Sequence, residues 1–297
     1  MARRAMCDTY FRPFRKEVPI MLVTMKELLD HASRENYAVP APNIASEMDA
    51  RPIIAAAEAL RSPLILAVGY TANPDLTFFG SYLRRLAEAS SVPIAIHLDH
   101  GKEFSQIMHA VQSGFTSVMY DCSTLPFEEN VARVRDVVRI CHSVGVTVEA
   151  ELGHVGQGAQ YEIDRNAALT QPEMAKEYVE ATGVDCLAVA IGTAHGTYSG
   201  TPYLDFDRLT QIKQNLGADF PLVLHGGSGT GNEALHKVAG MGINKINIAT
   251  DMYKTAVDAI TGYDFKGNYY GVYKVVQAAL KDKAAELIEL FGSANRV

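Results

Sequence analysis

The chain lacks the features that mark several large classes of protein. Its 297 residues contain no apolar run long enough to cross a bilayer, so we expect no membrane-spanning segment and no membrane partner. The net charge of −7 is spread without blocks of like charge, which argues against nucleic acid as the main partner. The four cysteines form neither a CxxC pair nor a zinc-finger spacing, so we predict free thiols in a reducing cytoplasm; they are Cys7, Cys122, Cys141 and Cys186.

The N-terminal segment also lacks the apolar core of a signal peptide. Residues 1–17 carry four arginines and one lysine, so we predict that the protein is not secreted. An ordinary opening helix follows Met21. We therefore predict an N-terminal extension over residues 1–20 and one folded domain over residues 21–297. We expect the extension to pack on that domain or on a neighbouring subunit.

Eight short apolar runs recur along the chain, with helix-like segments between them. Most of the runs are continuously apolar, which is typical of a parallel sheet whose outer face is covered by helices. They cover residues 37–43, 63–68, 93–99, 117–121, 147–152, 186–192, 221–225 and 243–249. The simplest arrangement is an α/β fold of the closed (β/α)8, or TIM, barrel type, and an open doubly wound sheet is the alternative. The barrel is favoured because polar residues follow at least five of the runs, and a barrel directs all of them to one mouth.

Two helices have clear sequence signals. One apolar face, formed by Val131, Val134, Val137, Val138 and Cys141, predicts a helix that starts near Pro126 and is stopped by Gly145. The stretch 170–173 reads Thr-Gln-Pro-Glu, which predicts a capping box and a helix that ends near Gly183.

Three of the apolar runs end in a histidine that is followed by glycine. These histidines are His100, His195 and His225. A catalytic zinc ion usually takes three protein ligands and keeps one position open for substrate, so this set predicts a zinc site. His97 lies deeper on the third run, and we expect it to be a hydrogen-bonded residue of the interior.

A phosphate site is predicted beside the last of these histidines. The segment Gly226-Gly-Ser-Gly229 follows the seventh run, and Asn247-Ile-Ala-Thr-Asp251 closes the eighth and leads directly into a helix. Barrels commonly build an anion site from these two loops, where backbone N–H groups and a helix N-terminus converge.

Several carboxylates lie near the predicted mouth. Asp99 precedes His100 directly, and Asp121 ends the fourth run without an assignable role. Glu149 and Glu151 share one face of the fifth run. We expect Glu151, nearer the mouth, to hydrogen-bond a ligand histidine, and Glu149 to form a buried ion pair with Lys245.

Together these motifs resemble those of the class II, metal-dependent ketose-phosphate aldolases, including the tagatose-bisphosphate and fructose-bisphosphate aldolases. The resemblance runs from about Met21 onward and is weakest after about Tyr263. The matching stretches are His97-Leu-Asp-His100, Val148-Glu-Ala-Glu-Leu-Gly153, Ala190-Ile-Gly-Thr-Ala-His-Gly196, Leu224-His-Gly-Gly-Ser-Gly229 and Lys245-Ile-Asn-Ile-Ala-Thr250.

The resemblance implies a role for each matched position. It implies Zn2+ on the three histidines, Asp99 as the proton donor and acceptor, and Asn43 on the substrate side. It implies phosphate contacts from Gly196, Gly226, Gly227, Ser228, Asn247, Ile248, Ala249 and Thr250. A monovalent cation, Na+ or K+, often lies near these loops in the family.

The implied reaction is the retro-aldol cleavage of a ketose 1-phosphate or ketose 1,6-bisphosphate to dihydroxyacetone phosphate and an aldehyde. Zinc stabilises the enediolate, and Asp99 takes the proton of the C4 hydroxyl. In relatives a second acidic residue, on the mobile loop after the fifth strand, protonates the enediolate. That loop reads as a shortened one here, and Glu162 is the nearest carboxylate for this role.

A second departure concerns the far phosphate of a bisphosphate. Relatives bind it with an arginine toward the C-terminal part of the chain, often across a subunit boundary, but residues 263–274 contain no arginine. Lys266 and Lys274 lack the bidentate fork of arginine. We therefore predict a weaker preference for a 1,6-bisphosphate than for a ketose 1-phosphate with an uncharged or carboxylated tail.

Two other functions remain open at this point. Lys245 is a candidate nucleophile for a Schiff-base aldolase, and the same fold also suits a non-catalytic subunit that binds or presents a phosphosugar. We expect the protein to form a homodimer or homotetramer.

Overall fold

The computed structural model describes residues 21–160, 169–200 and 202–297. In these residues eight strands form one sheet in the order β1-β8-β7-β6-β5-β4-β3-β2, and every paired neighbour is parallel. The strands are β1 Val39–Pro42, β2 Leu64–Gly69, β3 Ile94–Gly101, β4 Ser117–Tyr120, β5 Thr147–Leu152, β6 Cys186–Val189, β7 Leu222–Leu224 and β8 Ile243–Ile248.

The first and second strands bring the sheet round into a nearly closed barrel. Asn43 forms a parallel bridge with Ala67, and the backbone N–H of Ile44 donates to the Ala67 carbonyl at 2.9 Å. The predicted barrel is therefore confirmed, and the open doubly wound sheet is wrong.

Helices follow the strands and cover the outside of the barrel. They are α1 Met25–Glu35, α2 Glu47–Ala59, α3 Leu76–Ala89, α4 Phe104–Gln112, α5 Phe127–His142, α6 Pro172–Thr182, α7 Phe206–Leu216, α8 Asn232–Gly240, α9 Thr250–Thr261 and α10 Gly271–Leu290. None of the helices in the described ranges is both long enough and apolar enough to cross a membrane.

The interior of the barrel is apolar at one end and polar at the other. Alternate strand residues such as Ile65, Ala95 and Val223 pack inside with Met25 and Leu29 of α1, which closes the N-terminal end of the barrel. Their neighbours along each strand pack outward against the surrounding helices. The polar side chains of the interior lie toward the C-terminal ends of the strands, where active sites of this architecture form.

The two predicted helix signals have different outcomes. The apolar face of α5 is buried as expected, and the segment after it turns at Gly145 with φ of 73°. The capping box at Thr170 is wrong, because Gln171 occupies the cap position of α6 and makes no side-chain cap bond. The Thr170 hydroxyl instead donates to the Leu152 carbonyl and accepts from the Ala190 N–H at 2.8 Å. Buried backbone groups need partners more than an exposed helix end does, so Thr170 links β5 to β6.

Two predictions concern cysteines and the N-terminal extension. Cys122, Cys141 and Cys186 are free and buried. Cys7 and the whole extension, residues 1–20, lie outside the described residues.

Candidate active site

The three histidines predicted from strand ends lie together at the mouth of the barrel. The centroid of the His100 ring is 4.7 Å from that of His195 and 4.5 Å from that of His225, and the last two are 5.9 Å apart. One ring nitrogen of each lies within 4.8 Å of the other two. The structure therefore brings these residues, from three different strands, into one cluster.

A local distortion of β3 directs two consecutive side chains into the same site. In a regular strand Asp99 and His100 would face opposite sides of the sheet. The pairing of β3 with β4 shifts its register between Leu98 and Gly101, and His100 has φ of 50°, in the left-handed region that favours glycine. Such bulges and strained residues often redirect side chains at active sites. Both Asp99 and His100 consequently face the mouth.

A carboxylate contacts one ring nitrogen in each of two histidines, and the nitrogen differs between them. The Nδ1 of His100 is 2.8 Å from Oδ2 of Asp121, and the Nε2 of His225 is 2.7 Å from Oε1 of Glu149. This leaves the Nε2 of His100, which is buried and has no hydrogen-bond partner. The other ring nitrogen of His225, Nδ1, lies 3.9 Å from Oδ1 of Asp99.

Glu151 does not make the contact expected from the sequence. Its Oε1 accepts from the Val155 N–H at 2.9 Å and lies 3.6 Å from Nδ1 of His154, while its Oε2 is buried without a partner. Among the described residues Asp121 and Glu149 are the carboxylates at hydrogen-bond distance from ring nitrogens of His100 and His225. Glu151 still faces the cluster, because one of its oxygens lies within 4.8 Å of ligand atoms of His100 and Asp121.

These residues fit a metal ion. The unpartnered, buried Nε2 of His100 is the kind of atom that needs an explanation in a folded protein, and metal ligation provides one. Burial opposes a charge on His100, but Asp99 and Asp121 raise its pKa to about 9, so these carboxylates favour positive charge at this ring. Burial lowers the pKa of His195 to about 4, and the neutral imidazole is the form that ligates metals.

Asp99 is held by two side-chain amides from other strands. Its Oδ2 accepts from Nδ2 of Asn43 at 2.7 Å and its Oδ1 from Nδ2 of Asn247 at 2.9 Å. Burial alone would raise the pKa of Asp99, but the neighbouring His100 and His225 hold this pKa well below its usual range. Asp99 is therefore an ionised, oriented carboxylate beside the histidine cluster.

A buried ion pair lies beneath the cluster. Nζ of Lys245 is 2.8 Å and 3.1 Å from the two oxygens of Glu149, and both side chains are fully buried. Nδ1 of His97 is 2.7 Å from Oγ of Ser117, and burial lowers the pKa of His97 to about 3. The predicted Glu149–Lys245 pair and the interior role of His97 are both confirmed. The sequence did not indicate that Glu149 also bonds His225.

A pocket opens beside the cluster, and every residue that lines it is among the site residues that the resemblance implies. The lining combines Asp99 and one histidine with the ends of β1, β7 and β8; it consists of Asn43, Asp99, His195, Gly196, Gly226, Ser228, Asn247, Ala249 and Thr250. Helix α9 begins at Thr250, which lines the pocket, so the N-terminus of this helix lies at the pocket. This is the geometry of an anion site.

The two remaining predicted phosphate residues, Gly227 and Ile248, lie behind the lining. The N–H of Gly227 donates to the Asn247 carbonyl at 3.1 Å, and Ile248 is fully buried in the outer core. A Cβ at Gly226 would lie 2.4 Å from the Ala194 carbonyl oxygen, so only glycine allows the loops after β6 and β7 to approach this closely.

The loop after β5 packs on the backbone of His195. The His195 N–H donates to the Gly156 carbonyl at 2.9 Å, and the Gly158 N–H donates to the His195 carbonyl at 2.7 Å. Glu162, predicted as the second acid, lies outside the described residues. The described part of this loop, 153–160, contains no acidic residue.

Comparison with known proteins agrees with this arrangement. Residues 23–296 match the family model described as fructose-bisphosphate aldolase class-II. The chain belongs to this family. It is accordingly a class II aldolase, a carbon–carbon lyase, and the resemblance seen in the sequence is confirmed. The class II aldolase family is generally metal-dependent, and the histidine cluster supplies suitable donors.

Solved structures of aldolases have the same fold. The chain is 33% identical to the YdjI aldolase of Escherichia coli K12, with 93% of this chain and 99% of that chain covered and a TM-score of 0.84. It is 30% identical to a putative fructose-1,6-biphosphate aldolase of Coccidioides immitis, with 91% and 96% covered and a TM-score of 0.81. A fructose-bisphosphate aldolase of Campylobacter jejuni, 21% identical over 93% and 97% of the chains, shares the fold with a TM-score of 0.80.

Proposed function

We propose that this aldolase cleaves a ketose 1-phosphate or ketose 1,6-bisphosphate, with zinc as cofactor, to dihydroxyacetone phosphate and an aldehyde. The observation that supports this most strongly is the position of Asp99. Its carboxylate is fixed by two amides, lines the pocket and lies 3.9 Å from Nδ1 of His225. One site thus combines an oriented base, metal donors and an anion cradle.

Zn2+ would be held by His100, His195 and His225. A bound zinc ion supplies a Lewis acid that draws electron density from the ketose carbonyl and so favours the carbanionic product of bond cleavage. Asp121 and Glu149 fix which ring nitrogen His100 and His225 present.

Asp99 is the proposed acid and base for the aldehyde half of the substrate. It accepts the proton of the C4 hydroxyl while the electron pair of the C3–C4 bond moves toward C3, and C4 leaves as an aldehyde. Because both oxygens of Asp99 already accept hydrogen bonds from fixed amides, little reorganisation is needed when the proton moves. The second proton transfer, to C3, remains assigned to Glu162 as a prediction from the resemblance.

The phosphate of C1 is proposed to bind in the pocket lining opposite Asp99. Gly196, Gly226, Ser228, Ala249 and Thr250 offer backbone N–H groups and hydroxyls there, next to the start of α9. A sodium or potassium ion beside these loops stays a prediction, as do the contacts of Gly227 and Ile248 with phosphate.

The substrate is proposed to carry one phosphate rather than two in its preferred form. Lys266 is exposed and already pairs with Asp264 at 2.5 Å, and Lys274 is exposed. Neither matches the bidentate arginine of bisphosphate enzymes. A ketose 1-phosphate with an uncharged or carboxylated tail therefore fits best.

The two alternatives have less support. A Schiff base at Lys245 requires its amine to reach a substrate carbonyl, but Lys245 is fully buried and both oxygens of Glu149 lie within 3.1 Å of its Nζ. A non-catalytic subunit has no need of an oriented carboxylate such as Asp99. We therefore retain the metal-dependent aldolase.

The experiment that tests this function is a screen of phosphorylated ketoses with coupled detection of dihydroxyacetone phosphate. We expect activity that a chelator abolishes and zinc restores, and that falls about 10²- to 10⁴-fold in Asp99→Asn. Turnover that survives metal stripping would exclude the proposal. A substrate adduct on Lys245 that borohydride traps would also exclude it. Binding of phosphorylated sugars without turnover would favour the non-catalytic alternative.

A homodimer or homotetramer is proposed to form through the surface of α9 and the start of α10. Large apolar side chains are exposed there, and acidic and basic residues are mixed among them, so two copies can meet without blocks of like charge. The exposed residues are Tyr253, Val257, Ile260, Phe265, Tyr269, Tyr270, Tyr273 and Val275. Light scattering should give an oligomeric mass that falls in Tyr270→Asp/Tyr273→Asp; an unchanged mass would exclude this surface.

Residence in the cytoplasm and the absence of nucleic-acid and membrane partners stay predictions.

A further inference from the structure

Three fully buried ionisable side chains form a line beneath the mouth of the barrel. Nε2 of His225 is 2.7 Å from Oε1 of Glu149, and Nζ of Lys245 is 2.8 Å from Oε2 and 3.1 Å from Oε1 of the same carboxylate. All three are 0% exposed, and they lie on or directly after β7, β5 and β8. The aldol chemistry derived above uses only His225 of the three.

The contacts fix the direction of the hydrogen bond between His225 and Glu149. An ammonium group only donates, so Lys245 holds Glu149 as an ionised carboxylate that only accepts. The Nε2 of His225 must then carry the proton, and its Nδ1 keeps the lone pair. That Nδ1 lies on the side of Asn247 and Asp99, at 3.3 Å and 3.9 Å.

We propose that Glu149 and Lys245 are positioning residues that set the tautomer of His225, so that its Nδ1 is the ligand atom offered to a metal ion at the mouth. Glu149 accepts the Nε2–H, and Lys245 keeps Glu149 an acceptor and offsets its buried charge. The inference rests on the proposed metal-dependent function and extends it to a pair that does not reach the substrate.

Glu149 and Lys245 carry opposite charges, so replacing both residues in one variant is informative. In Glu149→Gln the amide oxygen stays with Lys245 and the amide N–H₂ turns to His225, so Nε2 becomes the acceptor and Nδ1 takes the proton. In Lys245→Met the buried carboxyl is left without its cation and takes up a proton, which it then donates to Nε2. In Glu149→Gln/Lys245→Met no cation competes for the amide oxygen, and it can again accept from Nε2–H.

The test measures zinc affinity by competition with a chromophoric chelator, and the tautomer of His225 by nitrogen-15 NMR of metal-free protein labelled at histidine. Each single variant should bind zinc about 10- to 100-fold more weakly and show Nδ1 protonated. The double variant should show the wild-type tautomer of His225, and its zinc affinity should lie within about threefold of the wild-type value. Ser62→Ala, a change at a buried polar side chain outside this cluster, should keep both at wild-type values.

Unchanged affinity and tautomer in Glu149→Gln would overturn the inference, as would a double variant that loses as much affinity as the single ones. Thermal unfolding identifies a single variant that does not fold, and the double variant then carries the test alone. A failure of this inference can be distinguished from a failure of the proposed function. Wild-type protein that binds zinc without aldolase activity, or that binds none, contradicts that function, while the tautomer measurement still tests the role of Glu149 and Lys245.

Discussion

Asn43 and Asp99, which lie 56 residues apart in the sequence, are joined by a 2.7 Å hydrogen bond in the interior of the barrel. Asn43 follows β1, at the place where β1 and β2 bring the barrel to near closure. The same residue therefore takes part in closing the barrel and in orienting the proposed catalytic carboxylate.

The first prediction concerns this contact. Asn43→Ala should lower kcat by about 10- to 100-fold, because a carboxylate held on one side only is misplaced for proton transfer. Zinc affinity should stay within about threefold, since Asn43 touches none of the three histidines. Steady-state kinetics on the best substrate, together with a zinc titration, checks both parts. Asn73→Ala, which removes a nearby side-chain bond to the Ala45 carbonyl, is the control and should keep kcat.

The second prediction concerns the tail of the substrate. The kcat/KM for a ketose 1-phosphate with an uncharged or carboxylated tail should exceed that for the corresponding 1,6-bisphosphate by about tenfold or more, because residues 263–274 offer no arginine. Competition between the two substrates at low concentration measures this ratio directly. Comparable values for both would contradict the assignment, and a large loss with the bisphosphate alone in Lys266→Met would identify the missing cation.

The third prediction concerns stability and pH. Burial lowers the pKa of Lys213 to about 8, although Asp219 opposes the shift, and its Nζ donates to the Phe220 carbonyl at 2.7 Å. Between the folded pKa and the ordinary value near 10.5, the unfolded chain binds more protons than the folded one, so this group makes stability rise with pH.

Lys213→Met isolates that contribution. The free energy of unfolding of the wild type minus that of the variant should increase by about 1 kcal/mol from pH 7.5 to pH 9.5, a value reduced for solvent screening of a partly exposed group. Urea denaturation at the two pH values checks it. A difference that stays flat, or that falls with pH, would show that Lys213 is not held in a destabilising environment.

Much of the fold and of the site could be predicted because each signal is local. An apolar run that ends in Asp99-His100 or in His225 marks both a strand and its mouth end, and parallel strands of a barrel share one mouth. The same reasoning located the pocket, since the glycine-rich loop after β7 and the helix start after β8 are each visible in a few residues.

Apart from the Glu149–Lys245 pair, the contacts between strands at the site could not be predicted, because they depend on the stagger of the barrel. Glu149 and Glu151 share a face of β5, and the sequence favoured Glu151 as the partner of a ligand histidine because it lies nearer the mouth. The register instead brings the deeper Glu149 to His225. The sequence assigns no role to Asp121, because its 2.8 Å contact with His100 depends on how β3 and β4 pair. The bulge in β3 that turns Asp99 and His100 to the same side has no signature in the sequence either.

The most direct measurement is anomalous X-ray diffraction at the zinc absorption edge from crystals of the zinc-loaded enzyme. We predict one strong peak at the mouth, roughly 2.0–2.1 Å from Nε2 of His100, Nδ1 of His225 and a ring nitrogen of His195. An active enzyme with no peak there, or with its zinc bound elsewhere, would contradict it.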